Sequence, residues 1–277
     1  MKRFRLVLIL VICFMDSYAQ QIKVITYNIR YDNAGDGSNQ WSLRKNKVEA
    51  LLHFYSPDIL CIQEGLSNQV NDLQKMLSNY FHVGVGRDDG KEKGEFSPIF
   101  FKAEKYELLN SGTFWLSPTP EIAGSKGWDA AITRICTWAK IKSKESGKLF
   151  FVFNTHFDHI GDTARSESAR LILAKVVALS EGLPIFLSGD FNSEPSSGAY
   201  QTLVNNSTHP LTDTYIKQGQ KDCTFTGFTV NSDICKRIDF IFIDKHFKTR
   251  DFKIIDDNDK ENYPSDHLPV EALIQLD

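Results

Sequence analysis

The 277-residue sequence has little glycine and proline, with 17 and 9 of these residues, and its net charge is only −3. These values, with a hydrophobic fraction of 42%, exclude a collagen-like fibre, a disordered chain and a polytopic membrane protein. Internal repeats, low-complexity tracts and linkers rich in proline or serine are also missing. Length alone fits one large core or two modest ones, and these absences favour a single domain over residues 20–277.

Long hydrophobic runs are missing apart from a short one near the N-terminus. Residues 1–5 are basic, residues 6–15 are largely apolar, and Ser17-Tyr18-Ala19 places small residues two positions apart. This order is typical of a secretory signal peptide, which we predict is residues 1–19, cleaved after about Ala19. Retention as an anchor is the alternative, but the apolar run is about half of the ~20 residues that a membrane span needs. We therefore predict a secreted or periplasmic protein without stable membrane insertion after cleavage.

Strong positive charge is also absent. Loss of residues 1–19 removes three basic residues and one acidic residue, which leaves 29 basic and 34 acidic residues and a net charge of −5. Proteins that bind polyanions by charge alone are usually basic. The mature chain would therefore need a local basic patch or a metal ion to bind a phosphate.

Cysteine is sparse, and the absence of a CxxC pair argues against a structural zinc site. Cys61 and Cys136 lie inside strand-like runs and are expected in the core. Cys223 and Cys235 flank a loop that contains glycine, asparagine and serine. In an exported protein these two residues either form a disulfide or stay free, and the sequence favours neither.

Apolar patterns predict most of the secondary structure. Strand patterns occur at 22–27, 58–62, 96–101, 106–109, 134–141, 149–153, 184–187, 238–243 and 268–276. Helical spacing occurs at 43–54, 66–77 and 163–180. The 96–101 and 106–109 segments are predicted to pair with each other. Because several strands follow one another directly and phenylalanine is abundant, we predict an α/β fold of two packed sheets with helices outside.

Polar side chains recur at the ends of these apolar strands. They are Asn28, Gln63-Glu64, Asn154 and His156, Asp190 and Asn192, Asp239, and Asp266-His267. Each one alone is equally compatible with a turn or a cap, but six strand ends with acidic, amide or imidazole groups indicate a shared rim.

The acidic members of this set would repel one another in one pocket, and each negative charge would raise the pKa of the neighbouring carboxyl groups. A bound cation removes this penalty. The ligands are mainly hard oxygens, which favour Mg²⁺, with Mn²⁺ or Ca²⁺ as alternatives, over Zn²⁺. The chemistry that this predicts is metal-assisted hydrolysis of a phosphate ester.

Six motifs occur in a characteristic order along the chain. They are Tyr27-Asn28, QE at 63–64, NTH at 154–156, GDFN at 189–192, RIDFI at 237–241 and SDH at 265–267. Together they resemble the endonuclease/exonuclease/phosphatase superfamily, with its deoxyribonuclease-I-like fold, over about residues 22–272. The resemblance implies a four-layer α/β sandwich in which two central mixed sheets pack face to face and are flanked by helices. The WDAA segment at 128–131 and the THFDHIGDTAR segment at 155–165 are similar to those of secreted bacterial members.

The resemblance also implies a metal site at the matching positions. Glu64 would be the principal metal carboxylate, with Asn28 beside it and Asp266 as a second carboxylate on the metal side. Asp190 would orient or deprotonate the attacking water, and Asn192 would support Asp190 by hydrogen bonds.

The resemblance implies a phosphate-binding role for two histidines. His267 would contact the scissile phosphate, and Asp239 would orient its ring, because a carboxylate behind a histidine fixes its tautomer. His156 would stabilise the pentacovalent phosphorus. Together with Asp190 and Asn192, these three residues complete the predicted catalytic set.

Four further residues are candidates for binding the substrate. Arg30 stands where some members of the superfamily carry an aspartate that ligates a further metal, which favours one metal and leaves a cation near the phosphate. A plain surface role for Arg30 is equally open. His159, Trp128 and Arg134 could contact phosphate, sugar or base, whereas a loop hydrogen bond for His159 and core packing for Trp128 are the alternatives.

We therefore predict a monomeric, Mg²⁺-dependent phosphoester hydrolase, either a phosphodiesterase or nuclease or a phosphatase. Its substrate would be a nucleic acid, a nucleotide, an inositol phosphate or a lipid headgroup. The main alternative is a non-catalytic module that binds phosphate or nucleic acid on the same fold. A zinc hydrolase that uses His156 and His159 is a weaker alternative, because the sequence has no HxxxH helix.

Overall fold

The structure, a computed structural model, describes residues 20–217, 222–230 and 233–277. The predicted signal peptide lies outside the described residues and stays a prediction. The strands are β1 Gln20–Asn28, β2 Ile59–Gln63, β3 Tyr80–Val83, β4 Ile99–Lys102, β5 Tyr106–Trp115, β6 Ile135–Ser143, β7 Leu149–His156, β8 Ile185–Asp190, β9 Thr212–Asp213, β10 Asp239–Ile243, β11 Phe247–Ile254 and β12 Val270–Leu276. The helices are a 3₁₀ helix Ala34–Asn39, α1 Trp41–Tyr55, α2 Ser67–Met76, α3 Asp162–Ser180 and α4 Gly198–Val204.

The strands form two mixed sheets of six strands each. The first sheet has the order β11-β12-β1-β2-β4-β3, and the second has the order β5-β6-β7-β8-β10-β9. Each sheet contains one parallel pair, β1 with β2 and β7 with β8, and its other neighbours are antiparallel. Helices α1 and α3 make the crossovers within these pairs. The carboxyl ends of the paired strands therefore lie at one edge of each sheet.

Three apolar clusters hold the layers together. Val24 and Val152 belong to the cluster between the two sheets. Leu52 of α1 belongs to a cluster on the outer face of the first sheet, and Val176 of α3 belongs to one on the outer face of the second. The order helices, sheet, sheet, helices is a four-layer α/β sandwich, which confirms the predicted fold class.

The central strands are buried on both faces, whereas β12 is not. Every residue of β8 is buried, which explains its continuous apolar sequence. In β12, by contrast, buried residues alternate with partly exposed ones. One face of β12 thus packs in the core between the sheets, whereas its other face is only partly covered.

Helix α3 is the longest helix, with 19 residues. Its buried residues, which include Ala169, Ile172 and Val176, recur at helical spacing and face the second sheet. Arg170 lies on its exposed surface. Within the part of the chain that the structure describes, neither α3 nor another helix has the length and apolarity that a membrane crossing requires.

The predicted pairing of segments 96–101 and 106–109 is wrong, because they belong to different sheets. β4 pairs with β2 and β3, whereas β5 pairs with β6. The backbone N–H of Lys105 donates to the carbonyl of Lys102 at 3.1 Å, in a turn that passes the chain from one sheet to the other. Phe101 and Tyr106 are buried in the same cluster between the sheets. An apolar run identifies a strand but not its partner.

The cysteine predictions are resolved by the structure. Cys61 and Cys136 are buried free thiols, which confirms their expected place in the core. Cys223 and Cys235 form a disulfide with 4.9 Å between their Cα atoms. Phe225, two residues after the first of these cysteines, forms isolated β-bridges with Lys236 and His267.

Substitution of Phe150 tests how much the apolar cluster between the sheets contributes to stability. Its ring is fully buried and contacts the rings of Tyr106, Phe186 and Phe247 at centroid distances of 5.9, 6.2 and 6.1 Å. We expect Phe150→Ala to lower the free energy of unfolding by about 3–5 kcal/mol, because the substitution loses apolar contact and leaves a cavity. Urea unfolding followed by circular dichroism measures this change. Phe54→Ala is the control, since Phe54 is 80% exposed, and equal losses in both variants would contradict the assignment.

Candidate active site

Asn28, the last residue of β1, lies at the centre of a buried polar cluster. Its Nδ2 donates to Oε1 of Glu64 at 3.1 Å and to Oδ2 of Asp190 at 3.0 Å, and it lies 3.4 Å from Nε2 of His267. Glu64 follows β2 in the first sheet, Asp190 ends β8 in the second, and His267 precedes β12. Asn28 therefore joins strand ends from both sheets.

His267 lies between two aspartates of the second sheet. Asp239 and Asp190 oppose each other in the antiparallel pairing of β10 and β8. Nδ1 of His267 donates to Oδ2 of Asp239 at 2.9 Å, and its Nε2 lies 3.7 Å from Oδ2 of Asp190. Burial opposes the charged imidazole, but the charges of Asp239 and Asp190 raise the pKa of His267 well above its usual value. The protonated ring therefore compensates the charge of this pair.

The same crowding acts on Asp190. Burial, together with the nearby charge of Asp239, raises the pKa of Asp190 to about 7. Hydrogen bonds from the Asn28 side chain and the Asn192 backbone oppose this rise. Asp190 is thus a carboxyl group whose protonation changes near neutral pH, which suits a group that exchanges protons.

Glu64 and Asp266 lie on the side of the cluster that belongs to the first sheet. Oε2 of Glu64 accepts the backbone N–H of Tyr31 at 3.0 Å. Burial raises the pKa of Asp266, and the charge of Glu64 adds to this rise. The Arg30 guanidinium lies 4.0 Å from Oδ2 of Asp266 but makes a closer pair with Asp36 at 3.0 Å. These two carboxylates therefore lack a close pair like that of His267 and Asp239.

His156 and Asn192 come from the second sheet. Nδ2 of Asn192 donates to the carbonyl of Phe157 at 3.0 Å and lies 3.1 Å from Nε2 of His156, while its backbone N–H donates to Oδ1 of Asp190 at 2.9 Å. Burial and the nearby charge of Arg134 lower the pKa of His156 well below its usual value. The site therefore holds one imidazole that favours the neutral form beside one that favours the charged form.

The polar cluster opens into a cleft of about 490 Å³. The lining residues are Arg30, Tyr31, Glu64, Arg87, Glu95, Ile132, Arg134, His156, His159, Asp190, Asn192, Phe225, Asp266 and His267. Asn28 and Asp239 lie directly behind this lining, where they hydrogen-bond to it. Arg87, Glu95 and Arg134 form a group beside His156, with Arg87 Nη1 donating to Glu95 Oε2 at 2.6 Å.

Eleven of the twelve predicted site residues lie in the cleft or directly behind it, and Trp128 differs. The eleven are Asn28, Arg30, Glu64, Arg134, His156, His159, Asp190, Asn192, Asp239, Asp266 and His267. Trp128 is not among the described residues that line the cleft, and it is 38% exposed. The alternative of core packing does not describe it either.

Among the cleft-lining residues that the sequence patterns miss are Arg87, Glu95 and Phe225. Arg87 and Glu95 lie in a charged connection between β3 and β4 that looks like a solvated loop in the sequence. Phe225 lies in the loop closed by the disulfide, and its ring centroid is 4.9 Å from that of His267. None of the three stands at the end of an apolar strand, which was the signal that found the others.

Arg44 ties together two loops that carry site residues. Its guanidinium is 3% exposed. Nη1 donates to the carbonyls of Ile29 at 2.5 Å and Pro264 at 3.2 Å, and Nη2 donates to that of Arg30 at 2.6 Å. The first loop presents the Tyr31 N–H to the Glu64 carboxylate, and the second leads into Asp266 and His267. Arg44 therefore fixes the position of both loops from behind.

A four-layer sandwich with acidic, amide and imidazole side chains at converging strand ends defines the deoxyribonuclease-I-like class of fold. Residues 25–267 match the model of the Endonuclease/Exonuclease/phosphatase family. The chain belongs to this family. The predicted resemblance is thereby confirmed.

Solved structures of relatives agree with this assignment. An endonuclease/exonuclease/phosphatase from Bacteroides vulgatus is 40% identical, with a TM-score of 0.88, and the match covers 93% of this chain and 100% of that chain. A mannosyl-6-phosphatase from Bacteroides thetaiotaomicron is 37% identical, with a TM-score of 0.87, over 91% of this chain and 99% of that chain. Human nocturnin is 24% identical over 90% of this chain, and the match spans 64% of nocturnin's length.

The buried charges predict how stability depends on pH when divalent metal is removed with EDTA. Because the folded-state pKa of Asp190 is raised, stability is lost as the pH rises towards about 7. The raised pKa of His267 acts in the same direction. Folded His267 keeps its proton above the pKa of a histidine in the unfolded chain, and the stability that this proton gives is lost as the pH rises further. The lowered pKa of His156 opposes these contributions below about pH 6.5. We therefore expect the free energy of unfolding to fall between about pH 6.5 and pH 8, and Asp190→Asn to reduce this slope.

Urea unfolding at a series of pH values measures that slope. Glu107→Gln is the control, because Glu107 is exposed on β5 and lies away from the cleft. An unchanged slope in Asp190→Asn would show that the Asp190 carboxyl is not perturbed.

The hydrogen bonds of Arg44 predict that its substitution lowers the stability of the protein. We expect Arg44→Met to lower the free energy of unfolding by about 2–4 kcal/mol, because it leaves several buried carbonyls without donors. Thermal and urea unfolding measure the loss. Arg170→Met, at an exposed position of α3, should change stability by no more than about 0.5 kcal/mol. A loss as small as this control in Arg44→Met would contradict the role of Arg44 in joining the loops.

Proposed function

We propose that this protein is a metal-dependent phosphoester hydrolase whose metal is Mg²⁺, with Mn²⁺ or Ca²⁺ as alternatives. The observation that carries the proposal is the convergence of four carboxylates, Glu64, Asp190, Asp239 and Asp266, with His267 at one cleft. Membership of a family that includes a mannosyl-6-phosphatase supports hydrolysis of phosphate esters.

The donor set fits a hard divalent cation. Oxygen ligands in a crowded acidic site are what Mg²⁺ prefers, and Mg²⁺ typically takes only one or two carboxylates. We assign Glu64 and Asp266 to this role, with the Asn28 amide beside them. When bound, the cation would offset negative charge that develops on the phosphate oxygens.

A second possible ligand set supports a competing position for the metal. Ligand atoms of Asp190, Asp239 and His267 lie within 4.8 Å of one another, and Oδ1 of Asp239 is buried without a hydrogen-bond partner. We favour Glu64 and Asp266 because the imidazole of His267 already compensates the two aspartates. A metal ion bound to Nδ1 of His267 would have to replace its hydrogen bond to Asp239.

Asp190 is the group that we assign to the attacking water. A pKa near 7 lets this carboxylate accept a proton at neutral pH. Hydrogen bonds from Asn28 to Oδ2 and from Asn192 to Oδ1 fix the orientation of the carboxylate. The attacking water would be held between Asp190 and the phosphorus.

The two histidines would bind the phosphoryl group. His267, kept protonated by Asp239 and Asp190, can donate from Nε2 to a phosphate oxygen. His156 and Asn192 face the same cleft and would bind the oxygens that gain charge in the transition state. Groups that are already in position before the reaction need little reorganisation during it.

Export is a further part of the proposal. The predicted signal peptide gives a secreted or periplasmic protein, and the disulfide between Cys223 and Cys235 supports this, since disulfides persist mainly in oxidising compartments. We also propose that the protein acts as a monomer. Its substrates would be nucleic acids, nucleotides, inositol phosphates, lipid headgroups or, as the mannosyl-6-phosphatase relative suggests, sugar phosphates.

A substrate panel with Mg²⁺ or EDTA tests the proposed function. The panel contains p-nitrophenyl phosphate, bis-p-nitrophenyl phosphate, mannose 6-phosphate, inositol phosphates, sphingomyelin, and single-stranded RNA and DNA. We expect turnover of at least one class with Mg²⁺ and none with EDTA. Glu64→Gln and His267→Ala should lower kcat by roughly 10²-fold or more, because each removes a charged group beside the phosphate. Full turnover in EDTA would exclude the metal role.

Two exposed residues serve as matched controls. Glu107→Gln on β5 and His53→Ala on α1 change the same residue types at exposed positions, so they should keep wild-type kcat. Thermal midpoints of all four variants check that the proteins are folded. Phosphate binding without turnover of any substrate would favour the non-catalytic module instead.

A further inference from the structure

The guanidinium of Arg134 is buried in the wall of the cleft without a full set of acceptors. The residue is 4% exposed, and its Nε and Nη1 have no hydrogen-bond partner. Burying a charged donor without an acceptor is unfavourable. The unpaired groups therefore indicate that an acceptor from outside the chain completes the hydrogen bonds of Arg134.

The carboxylates of Asp158 and Glu95, whose charges act on Arg134, do not supply that acceptor. Oδ1 of Asp158 lies 3.6 Å from Nε of Arg134, which is too far for a hydrogen bond. The oxygens of Asp158 instead accept backbone N–H groups from Ala131, Ile132, Ile160 and Gly161. Glu95 is engaged by Arg87 at 2.6 Å. Both carboxylates offset the charge of Arg134 from a distance but leave its donors unpaired.

His159 extends the same surface. Its Nδ1 lies 3.1 Å from Nη2 of Arg134. Because a guanidinium can only donate, Nδ1 must be the acceptor, which leaves the proton of a neutral ring on Nε2. His159 and Arg134 both line the cleft, together with His156. The cleft thus presents an additional donor group beside the residues that we assign to the phosphoryl group.

We propose that Arg134 and His159 form an oxyanion-binding subsite that makes the protein select phosphate monoesters over diesters. This inference rests on the proposed function, because it assumes that the scissile phosphate lies at the carboxylate cluster. A monoester has three terminal oxygens and carries about two negative charges at neutral pH. A diester has only two terminal oxygens, since its third is esterified. The additional terminal oxygen supplies the acceptor that Arg134 lacks.

The charge of Arg134 strengthens this selection. Hydrogen bonds from a guanidinium to phosphate oxygens are charge-assisted, and Nη1 of Arg134 has no partner within the described residues. The additional negative charge of the monoester increases this attraction. An ester group in the same place would put an uncharged oxygen and its substituent against a buried cation. The subsite thus penalises diesters as well as stabilising monoesters.

Paired substrates test the selection directly. We expect the wild-type protein with Mg²⁺ to have a higher kcat/KM for p-nitrophenyl phosphate than for bis-p-nitrophenyl phosphate. Arg134→Met and His159→Gln should each lower the monoester value by about tenfold or more, the effect of one lost charge-assisted contact. The diester value should change much less. Equal losses on both substrates, or a wild-type preference for the diester, would overturn the proposal.

His159→Gln keeps the test valid if Arg134→Met fails to fold, since His159 is exposed to solvent at the cleft edge. Arg170→Met on α3 is the matched control, and it should keep the wild-type ratio of the two kcat/KM values.

Failure of the proposed function is distinguishable from failure of the subsite. If the wild-type protein hydrolyses no member of the substrate panel, the proposed function fails, and binding of inorganic phosphate in EDTA then tests the subsite by titration calorimetry. Without a metal the acidic cluster repels phosphate, and the part of the binding that is lost in the Arg134 and His159 variants reports on these two residues. Binding by the wild type that falls about tenfold in both variants would support the subsite. Absent wild-type binding, or equal binding in all proteins, would contradict it.

Discussion

Buried amides that cross between the two sheets determine the arrangement of the site. Asn28 of β1 donates to Asp190 of β8, and Gln63 of β2 donates to Oδ1 of Asn154 on β7 at 2.7 Å. Asn154 in turn donates to the carbonyls of Ile62 and Pro98 in the first sheet. The packing of apolar side chains between the sheets has no preferred direction. These hydrogen bonds do have one, and they therefore fix how one sheet is placed on the other at the edge where the cleft opens.

This cross-sheet connection has an electrostatic consequence. Once the two rims are held together, Glu64 of one sheet and Asp190 of the other share the Asn28 amide as a hydrogen-bond donor. Their charges cannot separate to relieve repulsion, so each must be compensated in place. The chain does this for the Asp190 and Asp239 pair with a protonated His267. The same constraint explains why an external cation suits the remaining carboxylates.

Much of the fold and the site follows from strand ends in the sequence. Asn28, His156 and Asp190 were predicted to share a rim because polar groups recur at the ends of apolar strands. The structure brings them together, since each parallel pair places its carboxyl ends side by side. Their catalytic roles stay predictions. The predicted pairing of β4 with β5 was wrong. Both strands are buried against the same core, and an apolar run looks the same in the sequence whichever strand it pairs with. Strand β11 was not predicted, because Lys248 and Arg250 leave it without a continuous apolar run.

Residues whose importance lies in burial were the hardest to find. In the sequence, Arg44 is one more charged residue of a helix, and its contacts with three carbonyls depend on how distant loops meet. Arg87 and Glu95 are likewise members of a charged run, until folding places them against Arg134. A charged side chain in a helix or loop is usually solvated. Composition therefore gives no reason to expect Arg44 to be buried, or Arg87 and Glu95 to be partly buried in the wall of the cleft.

The two walls of the cleft differ in how readily their residues can be replaced. The acidic residues stand on strands or in the segments next to them, so a change there disturbs the packing of the core as well as the polar cluster. The opposite wall comes from connections, residues 84–98 and the segments before β6 and after β7, and connections tolerate replacement and insertion. Chains of this family can thus differ in the ligands that they accept while they keep the same polar cluster. We expect members of the family to differ most in the wall that carries Arg87, Arg134 and His159.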